Sequence, residues 1–394
     1  MPNGALHRPN NAMTIFDFAV GQTNPETFPV AAFADAARRA IEKEHDAYNQ
    51  YPGPKGHPGL RRLMADRESE REGVYVDPEC LALTNGSMQA VTLVGQALKV
   101  ADGDTVITEM FTYSGTISAY EGIGLNLIGV GLDEEGMRID LLVAAIEAQI
   151  KAGKKPRFIY TLTRYQNPTG TCMSIDRRRQ LLEVAKRFDI TVVEDNCYGD
   201  VHFEGEIEPS LFAMDSEVKH IYIGSLSKIF APGVRLGYLY AQEPLFSSLI
   251  ARRFDAGSNY FAASVLAEFY ADGIQAHAAK TLPALMVKKA LLLNALEREL
   301  VDVCVWSKPR GGLFLWLRLP QDTNLSKLTA LCDAQGFKFA PGSDFHVDHL
   351  PVPYLRLAFG HVRDELIDPG IALLAGCIAQ ARMSNAPREF ESLF

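Results

Sequence analysis

Between about residue 80 and residue 241, short apolar runs alternate with longer stretches in which apolar residues return every three or four positions. The runs are LALT (81–84), TVIT (105–108), LNLIGV (125–130), RFIYTL (157–162), ITVVED (190–195), HIYIGS (220–225) and LGYLYA (236–241). Continuous apolar runs of this length suit strands buried on both faces. Between them, SMQAVTLVGQALK lines up Met88, Val91, Val94, Ala97 and Leu98 on one helical face, and SIDRRRQLLEVAKRF lines up Leu181, Leu182, Ala185 and Phe188. Ser87 and Ser174 stand where N-caps are expected. Strand–helix–strand alternation predicts an α/β fold, a mostly parallel seven-stranded sheet sandwiched between helices.

The pattern changes after residue 275. AAKTLPALMVKKALLLNALEREL predicts a long helix, and GLFLWLRL (312–319) and YLRLAF (354–359) predict strands of a smaller α+β domain. FDFAVG and the helical stretch VAAFADAARRAIEKEHDAY are expected to pack beside it. The expected organisation is a flexible arm at 1–14, a small domain from 15–45 and 276–394, and a large domain from 46–275.

Composition narrows the function. A formal net charge of -9 over 394 residues argues against non-specific nucleic-acid binding, which needs a basic face. No run of apolar residues is long enough to span a membrane, and MPNGALHRPNNAM has no apolar signal core. The six cysteines are scattered without a CxxC pair, which fits a reducing cytoplasm and no structural zinc. DFHVDH (344–349) has the residue types of a metal site but is read as a solvated loop, so no metal is expected. PGPKGHPG lacks the GK[ST] ending of a phosphate-binding P-loop and is read as a rigid turn that positions Tyr51.

In a doubly wound sheet, ligands bind beyond the carboxyl ends of the strands, and chemically active residues gather there. Asn85-Gly86-Ser87 follows the first run and opens a helix whose backbone N–H groups suit a phosphate. Asn167 lies in the turn YQNPTG, Asp195 closes ITVVED with Tyr198 three residues on, and Ser225, Ser227 and Lys228 follow HIYIGS. An anion cradle, a carboxylate, a phenol and an amine thus converge on one mouth.

With these residues the chain resembles the fold-type I pyridoxal-phosphate enzymes of the aspartate aminotransferase superfamily. It is most similar to the branch of 2-aminoadipate and kynurenine aminotransferases and MocR effector domains. The likeness runs from about residue 15 to 375 through YPGPKGHPGLR, TNGSMQA, YQNPTG, VVEDNCYGD, GSLSKIFAPGVRLGY, GGLFLWL, FAPGSDF and YLRLAF. The resemblance implies that Lys228 holds pyridoxal 5'-phosphate covalently and then moves the reaction's proton. It implies that Asp195 keeps the ring nitrogen protonated, while Asn167 and Tyr198 bond the ring oxygen and Tyr113 stacks on the ring. The phosphate would fall to Ser225, Ser227, Arg235 and the amides of Ser87 and Met88, with Tyr51 reaching it from the partner of a homodimer. Arg356 would clamp the substrate α-carboxylate, helped by Asn167 and the backbone near Gly21.

Three departures accompany the likeness. Only about 14 residues precede FDFAVG, with Arg8 the sole arginine among them, where relatives carry a lid helix with an arginine for acidic side chains. Met110-Phe111-Thr112 lacks the proline usual before the stacking Tyr. Thr163-Arg164-Tyr165 precedes QNPTG, and Arg164 is open to two readings, a substrate contact or the partner of a surface acid. The expected activity is amino transfer between an α-amino acid and a 2-oxo acid. A lyase or synthase on the same scaffold is the alternative, and a MocR-like ligand sensor is a remote one.

Overall fold

The computed structural model describes residues 13–383 and 392–394, so most of the expected arm, with Arg8, lies outside the described residues. Seven of the predicted runs form one sheet: β1 (Leu81–Thr84), β2 (Thr105–Glu109), β3 (Asn126–Val130), β4 (Phe158–Thr161), β5 (Thr191–Asp195), β6 (His220–Ser225) and β7 (Gly237–Ala241). Their order across the sheet is β1-β7-β6-β5-β4-β2-β3. β7 runs antiparallel to both its neighbours, and the remaining pairs are parallel. All residues of β1, β2, β4, β5, β6 and β7 are buried, as a sheet covered on both faces requires. In the helix Ser87–Leu98, Ala90, Val91, Leu93 and Val94 face the core, and in Ile175–Phe188 the buried set is Leu181, Leu182, Val184 and Ala185.

The smaller sheet comprises β8 (Val305–Trp306), β9 (Phe314–Arg318), β10 (Ala340–Pro341) and β11 (Tyr354–Ala358), ordered β8-β9-β11-β10. Side chains alternate along β9 and β11. Leu315, Leu317, Leu355 and Leu357 join the apolar core formed with the helix Asp364–Ala381. Trp316 and Tyr354 turn to the other face, as does Arg356, the direct register partner of Trp316. Phe16–Asp17 pairs in parallel with Phe337–Lys338 of this region.

The 27-residue helix Ile274–Leu300 spans both halves. Ile274 and Leu285 pack into clusters under the large sheet, and Leu292, Leu296 and Leu300 pack under the small one. One expectation gives way: the helix Val30–Glu44 does not pack beside the small domain. Its Ala36 and Ala40, one turn apart, lie against Val265 of the helix Tyr260–Phe269. Small residues at this spacing let two helices approach closely. No described helix is long and apolar enough to cross a membrane.

Candidate active site

The site begins where β1 ends. Gly86 takes φ +79 and starts the helix, so Gly86, not Ser87, is the N-cap, and Ser87 is the first helical residue. A Cβ on Gly86 would collide with Nη2 of Arg235, and one on Gly237 would lie 2.7 Å from the amide nitrogen of Ser87. These two glycines keep a narrow cradle open between the helix start and Arg235. The first N–H groups of a helix have no intrahelical partner and carry its positive end, so the cradle favours an anion. Arg235 itself sits at φ +54, with its guanidinium donating to the carbonyls of Pro232 (3.2 Å) and Asn85 (3.5 Å). Ser225 and Ser227 are buried beside it, joined by a 3.2 Å bond from the Ser227 amide to the Ser225 hydroxyl. Ser174, by contrast, is the N-cap expected, accepting from the amide of Arg177.

Lys228 follows directly. Its Nζ donates to the carbonyl of Gly21 at 2.8 Å and stands 5.7 Å from the centre of the Tyr198 ring. Burial pushes its pKa down to about 8, partly countered by Cys197 and Asp195. Asp195, at the end of β5, is 4% exposed and accepts from the Tyr160 hydroxyl (2.6 Å) and the Cys197 amide (3.1 Å). Burial raises its pKa, while the bonds from Cys197 and Tyr160 oppose the rise. A buried carboxylate with only partial compensation suits a cationic partner.

Across the mouth, Asn167 donates to the Tyr198 hydroxyl (3.3 Å) and accepts from Nη1 of Arg356 (3.0 Å). Nη2 of Arg356 donates to the carbonyl of Ala19 at 2.6 Å, and its Nε is buried without a partner. The guanidinium lies 4.3 Å from the Phe314 ring centre and 4.8 Å from that of Phe345. This aromatic clamp fixes a cation in place without neutralising it. Gly21 leaves room for Phe314, since a Cβ there would come 2.8 Å from its ring. Tyr113 is half-buried at the start of the helix Ser114–Gly122, close enough to feel Cys197, Arg356, Asp195 and Arg235, and burial raises its pKa.

Lys228, Asp195, Tyr198, Asn167, Arg356, Tyr113, Ser87, Met88, Ser225, Ser227, Arg235 and Gly21 thus lie around one mouth. Tyr51 does not join them in this chain; it is 88% exposed. Arg164 follows neither of its two readings. It is 1% exposed and forms a two-pronged pair with the buried Glu72 (3.0 and 3.3 Å), while its Nε donates to the backbone carbonyl of Glu208 at 3.0 Å. The DFHVDH segment is not simply a solvated loop either. His346 is buried and forms a β-bridge with Phe111, while His349 pairs with Glu121 at 3.2 Å.

Four contributors escaped the sequence reading: Tyr160, Cys197, the Ala19 carbonyl and Glu109. The signal for Tyr160 was available, since a phenol inside a buried strand requires a hydrogen-bond partner. Glu109, at the end of β2, is buried with Oε2 unpartnered, and burial pushes its pKa up to about 7.

Comparison with known proteins finds likeness over most of the chain. The family described as aminotransferase class I and II matches residues 14–372. An aromatic-amino-acid aminotransferase of Thermococcus litoralis is 33% identical over 93% of this chain and 88% of its own. Among solved structures, a multiple substrate aminotransferase from Thermococcus profundus superposes with a TM-score of 0.88 at 31% identity, covering 94% of this chain and 93% of that one. A kynurenine aminotransferase from Pyrococcus horikoshii, solved in complex with PMP, has a TM-score of 0.87 at 32% identity, covering 93% and 91%.

Proposed function

From the premise that this chain belongs to the class I and II aminotransferases, enzymes that move amino groups with pyridoxal phosphate, we propose that it acts on α-amino acids with uncharged, apolar or aromatic side chains. The proposed acceptor is 2-oxoglutarate or pyruvate. The residues present fit the cofactor: at Gly86 and Gly237 the Arg235 guanidinium and the free Ser87 amide come close together, a positive cradle that suits a phosphate, and Asp195 is a buried acid beside a lysine. When bound, pyridoxal phosphate supplies an electron sink for the bond-breaking at the substrate Cα.

The rest falls to the chain. Arg235, Ser225, Ser227 and the first amides of the helix Ser87–Leu98 would hold the phosphate. Asp195, braced by Tyr160, would keep the ring nitrogen protonated, and Asn167 and Tyr198 would bond the ring oxygen. Lys228 would carry the cofactor and, once freed, would take and return the substrate Cα proton at Nζ. Tyr113 would cover the ring face. Arg356 takes the substrate α-carboxylate in two-pronged fashion.

One observation carries the side-chain preference. The acid Asp344 acts on the charge of Arg356 alongside the phenols of Tyr198 and Tyr113, which adds negative potential beside the clamp and disfavours a second carboxylate there. The flanking rings of Phe314 and Phe345 favour apolar contact instead. Homodimerisation belongs to the same reading, supported by the exposure of Tyr51, and a cytoplasmic location is supported by cysteines scattered along the chain without a CxxC pair. The test is a panel of amino acids mixed with holoenzyme and followed by cofactor absorbance. Conversion to the amine form by phenylalanine, tyrosine and leucine, with aspartate and glutamate at least about tenfold less effective per molar concentration, is the expected outcome. Equal or better conversion by the dicarboxylic acids, or ammonia release without an acceptor, would overturn it.

A further inference from the structure

Beyond the helix Asp364–Ala381, residues 392–394 lie on the face of the small sheet that carries Arg356. Leu393 is 7% exposed and packs in a cluster with Trp316, Ala340, Phe345 and Tyr354. Its carbonyl accepts from the Tyr354 hydroxyl at 3.1 Å, and the Ser392 carbonyl accepts from Nη1 of Arg318 at 2.9 Å. The Ser392 hydroxyl donates to Glu134 at 3.0 Å, in the turn between Asp133 and Gly136 on the large-domain side. This segment lies outside the stretch matched by the family, which ends at residue 372.

The cluster borders the clamp. Trp316 and Ala340 are the register partners of Arg356 on either side, and Tyr354 is two residues before it on the same strand. Phe345 lies 5.8 Å from Trp316, ring to ring, and 4.8 Å from the Arg356 guanidinium. Its carbonyl also accepts from the amide of Thr112, next to Tyr113. We infer that Ser392–Phe394 is a positioning element for Arg356: Leu393 holds Phe345 and Trp316 against the clamp, and Ser392 ties that wall to the large domain. Close-packed side chains keep one rotamer only while each side has a neighbour, so removing Leu393 frees Phe345 to move off the guanidinium. Arg356 then spends less time in the geometry that accepts two oxygens. Because that geometry serves bound substrate and transition state alike, its loss raises KM and leaves kcat nearly unchanged.

The inference rests on Arg356 binding the α-carboxylate, and the test separates the two. Holoenzyme carrying Leu393→Ala, Leu393→Met or Arg356→Lys is titrated with 3-phenylpropionate, a carboxylate without an amine, and assayed with phenylalanine. Leu393→Ala should weaken both 3-phenylpropionate binding and kcat/KM about five- to tenfold, with kcat within about twofold, and Leu393→Met should restore both. In a Trp306→Phe background, which leaves Trp316 as the single tryptophan, Leu393→Ala should also shift tryptophan emission, excited at the red edge, to the red. If Arg356→Lys weakens 3-phenylpropionate binding but Leu393→Ala does not, the positioning role is overturned while the clamp stands. If neither variant weakens it, both fall. A loss in Leu393→Ala matched by loss of folded or cofactor-loaded protein, or unrepaired by methionine, also overturns the inference.

Discussion

At Lys228, burial does chemical work. An amine pushed down to about 8 is neutral in about a tenth of molecules at pH 7, far more than an ordinary lysine, and only the neutral amine attacks an aldehyde. Because burial disfavours the ammonium, the fraction neutral rises with pH up to that value and then levels off. Attachment of pyridoxal phosphate to apoenzyme, followed by stopped-flow absorbance, should accelerate about tenfold per unit below pH 7 and reach a plateau above about pH 9. Borohydride should fix the label on Lys228, and Lys228→Ala should lose turnover by several orders of magnitude. A label on another lysine would remove it from this role. Asp195 makes a separate prediction: Asp195→Ala should still bind cofactor but lose kcat by at least about a hundredfold, because a neutral ring nitrogen draws off carbanion charge poorly. Near-normal turnover would reduce Asp195 to a turn residue that accepts the Cys197 amide.

At the scale of elements, the helix Pro58–Glu72 supports the site from behind. Its Arg71 reaches Asp200 at 3.2 Å, in the loop that follows Asp195 and carries Tyr198, and its Glu72 holds Arg164 just ahead of the YQNPTG turn. Glu72 also accepts from the amide and hydroxyl of Ser210 (2.6 and 2.8 Å). Burial opposes its ionisation, but the Arg164 and Arg71 guanidinium groups prevail and hold the carboxyl down at about 2. Removing Arg164 leaves the buried Glu72 carboxylate with only Arg71 and Ser210, so Arg164→Met should cost about 2–3 kcal/mol in denaturant unfolding at pH 7. Adding Glu72→Leu should recover most of that loss. The folded pKa lies below the ordinary 4.5, so the stabilisation is full above that value and is lost as pH falls toward about 2. The gap between wild type and Arg164→Met should therefore narrow between about pH 5 and pH 2. A gap that stays constant with pH would exclude an ionised Glu72 as its source.

For the whole molecule, the exposed ring of Tyr51 is the residue to follow. If it reaches the cofactor phosphate of a second copy, each site is built from two chains, and mixed dimers reveal this. Lys228→Ala and Tyr51→Ala homodimers should each be impaired. In the mixed dimer, one site combines an intact Lys228 with an intact Tyr51 from its partner, so refolding the two variants together should raise activity above either parent. No gain on mixing, or a fully active monomer by light scattering, would confine Tyr51 to its own chain. Arg356→Lys belongs to this scale too, since the clamp joins the small sheet to Asn167 of the large domain. Keeping the charge while losing the fork should lower kcat/KM about tenfold or more for every amino acid donor, with cofactor attachment unchanged.

The strands β1 and β6 were legible to the residue, and the other large-sheet strands to within one residue at either end, because apolar runs and turn residues are local signals. The same holds for Lys228, Asp195 and Asn167, since each follows the carboxyl end of a strand whose position the pattern already set. Partnerships across the chain were not legible. The helix at Val30–Glu44 was expected beside the small domain, and only folding chose Tyr260–Phe269 as its neighbour. Ser87 had the chemistry of a cap, yet the close approach of Arg235 to Gly86 placed the helix start one residue earlier. Arg164 was read as a substrate contact or the partner of a surface acid, and only the fold paired it with the buried Glu72, while the phenol of Tyr160 in a core strand did not name Asp195. Sequence alone determined periodicity, turns and the kinds of chemistry at the strand ends, all of which depend on near neighbours. Tertiary structure decided which buried charges pair and which rings flank Arg356, because burial and charge compensation are settled only when distant segments share one interior.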